Sequence, residues 1–229
     1  MNSLETDLID LNPREEIVVL SFNFEMLASK QVGRKLSYKL TKTTSELYSA
    51  SPDGVELTDN DITNIETASD KIKKYPIYYV DCPGTVEEIK ETIYYFSQLP
   101  EVKGKWLIII LDHTLLTKGR SSESEREILT SLQRLFMEVK KYNRNTIIQI
   151  TQMNREIEDK DRISNPMLHF PTRRDIFGSD SLFQTSDYVI VIHRPELLGI
   201  KSYSTSNWPV KDKIYMHILK IINGTLLRN

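Results

Sequence analysis

Residues 106–111, WLIIIL, constrain this chain more than any other segment. Six apolar residues are too few for a helix core, and a half-exposed strand would alternate with polar residues, so the run reads as a buried parallel strand in mid-sheet. Asp112 follows at once. A sheet of that kind needs helices on both faces, and the flanking sequence supplies them. IVVLSF at 17–22 is a second apolar run, followed by a helical pattern in which Met26, Leu27, Val32, Leu36 and Leu40 form the expected core face. Thr58 to Lys74 predicts a helix, Ile77–Asp81 a short strand, and Cys82-Pro83-Gly84 a break. Thr85 with Glu88 has capping-box spacing and opens a helix with Val86, Ile89, Ile93 and Phe96 on its apolar side. Ser122 with Glu125 has the same spacing, ahead of Ile128, Leu129, Leu132, Leu135, Phe136 and Val139. Thr146–Thr151 is the next expected strand, followed by a charged loop, a short helix near Gly178–Gln184, a strand at Tyr188–Ile192 and a last strand at Lys213–Ile222. A turn is expected at Ser51–Gly54. This alternation predicts an α/β sandwich around a mostly parallel sheet with right-handed crossovers, in one domain over 1–229.

Composition narrows the class. With 39% hydrophobic and 27% charged residues, 8 glycines and 9 prolines, the chain is globular, not collagen-like or disordered. The longest apolar run is far below the roughly 20 residues of a membrane span, and the acidic start MNSLETDLID has no signal-peptide core, so no membrane association and a cytoplasmic location are expected. Cys82 is the lone cysteine, and four scattered histidines offer no zinc spacing. A net charge of −2 requires any nucleic-acid contact to come from local basic loops.

In parallel α/β sheets ligands sit beyond the carboxyl ends of the strands. Glu25, Asp112, Gln152 and the pair His193-Arg194 occupy such positions. Each could merely cap a neighbouring helix. Together they point to a shared site, because an Asp after an apolar strand suits water-held Mg²⁺ and a nearby Glu suits orientation of an attacking water.

Five segments, in order from about residue 17 to 224, resemble the DnaB-type replicative helicases, hexameric motors built on the RecA fold: SFNFEM, IYYVDCPGTVEEIKETI, LIIILDHTLLTKGR, QITQMNREIEDK and PTRRDIFGSDSLFQTSDYVIVIHRPE. In the fourth, Thr151 and Met153 stand where the family has Ser and Leu. The resemblance implies a RecA-like P-loop NTPase sandwich using ATP and Mg²⁺, translocating on single-stranded DNA as a homo-hexamer, with a primase or loader as further partner. It implies that Glu25 activates the hydrolytic water, that Asp112 binds Mg²⁺ through water and that Gln152 senses the γ-phosphate. Arg174, read as an Arg-acid pair with Asp175, and Lys220 are implied at the nucleotide or subunit interface. Lys118, Arg120, Arg155, Lys160 and Arg162 fall in the loops implied to face DNA, with Arg173 nearby; their other reading is a solvated surface diluted by Glu156, Glu158, Asp159 and Asp161. Asp187 matches an acidic position that also suits a strand-start hydrogen bond, and His113 reads as a packed or capping residue.

Two departures accompany the resemblance. The sequence contains no G-x-x-x-x-G-K-[ST] string; its Gly104-Lys105 precedes Trp106 and lacks the upstream glycine. The resemblance therefore implies that the first strand and P-loop helix lie upstream of Met1. Near the other end, HILKIINGTLL keeps Lys220 and Gly224 but has Ile222 where the family carries an arginine finger, with Arg228 displaced from that place. An adaptor or split subunit without catalysis of its own is the alternative reading.

Overall fold

The structure, a computed structural model, describes residues 3–48, 56–119, 123–142, 144–177 and 180–222. The expected turn at Ser51–Gly54, and Arg120, Ser122, Gly178, Gly224 and Arg228, lie outside these residues. The described elements run α1 (Leu4–Asp10), β1 (Ile17–Asn23), α2 (Ala28–Leu40), α3 (Thr44–Leu47), α4 (Asp59–Ile72), β2 (Ile77–Val80), α5 (Val86–Gln98), β3 (Trp106–Asp112), α6 (Glu125–Val139), β4 (Asn145–Ile150), α7 (Lys160–Ser164), α8 (Asp180–Thr185), β5 (Tyr188–His193) and β6 (Tyr215–Ile221), with short 3-10 turns between. None of these helices is long and apolar enough to cross a membrane. Contacts divide the chain into two compact units, Met1–Arg120 with Glu138–Ile150, and Ser121–Met137 with Thr151–Asn229.

The first unit holds a four-stranded parallel sheet in the order β2-β1-β3-β4. All seven residues of β1 are buried, and Leu107 to Leu111 of β3 are buried in turn, which is the interior position their unbroken apolar sequence predicts. One sheet face, built from Ile17, Val19, Ile108 and Ile110, packs against Leu4, Leu8 and Ile9 of α1. On α5, Ile89, Ile93 and Phe96 are buried as their spacing predicts, and Phe96 meets Tyr78 of β2 edge-on at 4.9 Å. The Thr85–Glu88 capping box forms, as do boxes at Thr43–Glu46 and Thr58–Asp61.

Helix α2 departs from its sequence reading. Leu27, expected in the core, is 57% exposed, and the buried residues are Gln31, Gly33 and Lys35. The inward face is polar because it meets a polar interior. Glu5 of α1 accepts hydrogen bonds from Ser21 Oγ, from Lys35 Nζ and from Tyr79 Oη, the last at 3.0 Å. Asn23 Nδ2 donates to Ser21 Oγ at 3.0 Å, and Gln31 Nε2 donates to Asn23 Oδ1 at 3.2 Å. Glu5 and Lys35 are each 1% exposed, so this ion pair is tolerated through the network that satisfies its remaining lone pairs. Burial and the Glu5 charge push the Tyr79 phenol up, keeping it a neutral donor.

In the second unit α6 begins at Glu125, and a capping pair forms between Ser124 and Glu127: Ser124 N and Oγ donate to Glu127 Oε2 at 2.8 and 2.6 Å. Strands β5 and β6 pair with each other, antiparallel, with an irregularity at Val189/Ile190. The connection between them carries only a 3-10 turn and no crossover helix, so the chain returns antiparallel where a parallel addition was expected. Ile200, Tyr203 and Val210 form a small core with Ile163, Leu198 and Tyr215. Tyr203, fully buried, meets three of the four histidines: its hydroxyl lies 2.9 Å from His193 Nδ1, 2.8 Å from His217 Nε2 and 3.3 Å from the His169 carbonyl.

Candidate functional site

Strands β1 and β3 run in parallel register, so Asn23 is the partner of Asp112, and Phe24 N donates to the Asp112 carbonyl at 2.9 Å. Glu25 is the next residue, exposed, just past the strand end. Two carboxylates from adjacent strands thus share the carboxyl edge of the sheet. Burial first, and then the Glu25 charge, hold the Asp112 carboxyl above its usual range, while His113 and Arg34 pull it partly back. At the neighbouring strand end Asp81 accepts from Ala28 N at 3.0 Å and so caps α2, which leads away from Glu25. His113 is buried and precedes the 3-10 turn Thr114–Leu116, a packed position.

Beside Glu25 lies a groove of about 460 Å³, lined among others by Lys30, Arg34, Thr44, Ser45 and Tyr48. A Cβ added at Gly33 would come within 2.7 Å of the Tyr48 hydroxyl, so the glycine lets that ring close one wall. Sequence reasoning missed Lys30 and Arg34. Their signal was the i, i+4 spacing on α2, which puts two cations on one helix face next to a strand-end glutamate.

Gln152 lies two residues beyond β4 and belongs to the second unit. Its carbonyl accepts from Phe177 N at 3.0 Å, Asn154 N donates to the Asp175 carbonyl at 2.7 Å, and Met153 bridges Ile176, so 152–154 is zipped to 174–177 and the Gln152 side chain is exposed. Asp175 is not paired with Arg174. Its partner is Arg162, through both guanidinium nitrogens, and Thr172 N adds a bond of 2.6 Å. These bonds hold the Asp175 carboxyl low against the opposing effect of burial. Arg162 also donates to the carbonyls of Leu168 and Phe170, both at 2.8 Å. Arg162 thus clamps its own loop from within.

Arg173 reaches Asp180 at 2.8 Å and lies over the Phe183 ring, and both Arg173 and Arg174 are exposed. Lys220 donates to the carbonyls of Phe183 and Gln184, both at 2.8 Å, closing the end of α8. Lys118, Arg155 and Lys160 are exposed. The loop of Lys118 is tied to the Asp81–Gly84 turn, since Lys118 N donates to the Gly84 carbonyl at 2.9 Å. Asp187 gives its carbonyl to Ile222 N at 2.9 Å, a hydrogen bond where β5 starts. Among the described residues no cluster of three or more His, Cys, Asp or Glu forms a metal cage.

The family model described as DnaB-like helicase C terminal domain matches residues 3–226. The replicative DNA helicase DnaB of Mycobacterium leprae is 27% identical over 185 residues, 80% of this chain and 28% of that protein. The same-named protein of Leifsonia xyli subsp. xyli is 25% identical over 184 residues, 79% of this chain and 37% of that one. The chain thus spans about a third of the length of these curated relatives. Among solved structures, an isolated ATPase domain superposes with a TM-score of 0.72 at 15% identity, covering 96% of this chain and 80% of that one. A DnaB-like replicative helicase, solved in a study of its interactions with primase, gives 0.68 at 17%, covering 90% and 50%. Both likenesses show the fold alone, an α/β fold with a parallel sheet flanked by helices.

Proposed function

The chain belongs to the DnaB-like helicase C-terminal domain family, and we propose that it is motor-domain material of a replicative helicase, contributing to ATP-driven movement on single-stranded DNA. The observation that carries this reading is the Asn23–Asp112 register, which sets Glu25 and Asp112 at adjacent strand ends. Glu25 orients the attacking water and accepts its proton. Asp112 holds Mg²⁺ through the ion's water shell; a half-buried carboxylate beside a second one, without a direct cage, fits a hard cation kept hydrated. When bound, the ion neutralises phosphate charge. Gln152, on a backbone fixed against 174–177, responds to the γ-phosphate, and exposed Arg174 serves a subunit interface. Lys118, Arg155 and Lys160 track DNA phosphates. A homo-hexamer and a primase or loader complete the proposal.

The phosphate cradle is not among this chain's residues, because no G-x-x-x-x-G-K-[ST] string occurs. The reading therefore needs that element from outside these 229 residues. Titration with Mn²⁺, a paramagnetic stand-in for Mg²⁺, tests the site without requiring turnover. NMR signals around Asp112 should broaden selectively and stop doing so in Asp112→Asn; broadening centred elsewhere would remove Asp112 from its role.

A second reading, an adaptor that binds a replication subunit without catalysis, is favoured by one observation: Lys220 is spent on α8 carbonyls. Co-purification with a P-loop-bearing partner whose mixture hydrolyses no ATP would select it.

A further inference from the structure

Trp208 sits at the tip of an aromatic cluster in the second unit. Its backbone exchanges two hydrogen bonds with Tyr203, both 2.9 Å, closing a tight loop in which Ser204 and Asn207 take left-handed backbone at φ 62 and 54. Its ring stacks on Tyr215 at 5.8 Å and 14°, and Phe170 leans in at 5.8 Å. Tyr203, beneath, is fully buried and fixed to His193 and His217. Yet Trp208 and Phe170 each remain 39% exposed. An indole serving only the core would be covered; this one is a flat apolar surface on a rigid support.

Positive charge predominates around it, with Asp212 as the opposing carboxylate between Lys211 and Lys213. Lys201, Lys211 and Lys213 are exposed, and none forms an ion pair among the described residues. Of the nearby carboxylates, Glu196 is taken by Arg194 and by Asp212 N. Free cations beside a supported aromatic face match a polyanion that also presents planar rings. Duplex DNA hides its rings in the stack, whereas a single strand offers both.

We propose that Trp208, with Phe170 beside it, is a base-stacking platform for single-stranded DNA whose backbone is met by Lys201, Lys211 and Lys213. It uses residues other than Lys118 and Arg155, and it rests on the reading that this chain works on single strands.

The test uses the wild-type chain labelled with 5-fluorotryptophan. Its two indoles, Trp106 and Trp208, give separate ¹⁹F signals, and Trp106, bound through Nε1 to Thr146 at 2.9 Å, is the internal control. During titration with oligo(dT), Trp208 should shift in step with the anisotropy of the labelled oligonucleotide while Trp106 stays put. Inorganic polyphosphate, with charge but no rings, should leave Trp208 unmoved. Trp208→Ala should weaken oligo(dT) binding about 10- to 100-fold, the scale of one lost stacked base. Oligonucleotide binding with an unmoved Trp208, or an equal shift with polyphosphate, overturns the platform alone. No binding of oligo(dT) by anisotropy overturns it together with the single-strand reading.

Discussion

Asp112 faces Asn23 across the β1–β3 ladder, so the Glu25 charge at the adjacent strand end adds to burial in raising the cost of ionising Asp112. The Asp112 carboxyl is raised, so the folded state binds its proton more tightly than the unfolded chain does. Stability therefore falls as pH rises from the ordinary carboxylate range through the raised value. Asp112→Asn should remove this penalty and raise Tm at pH 7. Glu25→Gln should lower the Asp112 pKa, read from its carboxyl ¹³C shift; an unchanged value would show that the two charges do not meet.

The buried Glu5–Lys35 pair makes a contrasting prediction. Lys35→Met leaves Glu5 with a buried, uncompensated charge and should cost about 3–5 kcal/mol in urea unfolding. Glu5→Gln combined with Lys35→Met should recover most of that loss. Additive losses in the double variant would contradict the pairing.

This network was invisible to periodicity. Spacing finds apolar stripes, and it therefore assigned Leu27 to the core of α2, while Gln31 and Lys35 are buried because Asn23 and Glu5 receive them. The parallel sheet was legible because WLIIIL and IVVLSF are apolar on both faces, a pattern that two-sided burial requires. At the start of α6 Ser122 and Ser124 both stand three residues before a glutamate, so spacing alone does not single out the Ser124–Glu127 pair that forms. At the candidate site Glu25 and Asp112 were legible as strand ends. That Arg162, not Arg174, holds Asp175 depends on how a thirteen-residue loop closes, which local sequence does not encode.

His193 supplies the acid dependence. Burial first, then the charges of His217, Arg162 and His169, depress its pKa to about 4, against a partial opposing effect of Asp175. A depressed histidine favours the neutral folded form, so its contribution is present above the unfolded value near 6.5 and is lost as pH falls toward 4. Stability of the chain should drop by on the order of 3 kcal/mol across that window. Denaturant melts of His193→Gln should show a flatter pH profile; an unaltered profile would remove His193 as the cause.

The basic side chains should separate into two classes. Arg162→Ala removes the partner of buried Asp175 and should cost about 3–5 kcal/mol of stability. Lys118→Ala, Arg155→Ala and Lys160→Ala should change stability by less than about 0.5 kcal/mol. Each should instead reduce the salt dependence of oligo(dT) affinity by about one unit of slope. Anisotropy titrations at several salt concentrations measure this, and slopes equal to wild type would return these residues to a solvated surface.

Glu25 and Asp112 are, on the proposed reading, hydrolytic machinery that needs a phosphate cradle from outside these 229 residues. The decisive assay is DNA-stimulated ATP hydrolysis by the chain alone and mixed with a polypeptide carrying a P-loop strand and helix, wild type against Glu25→Gln. No turnover is expected for the chain alone, and turnover in the mixture should fall about 10²- to 10⁴-fold with Glu25→Gln. Turnover by the chain alone, or a mixture indifferent to Glu25, would refute that role.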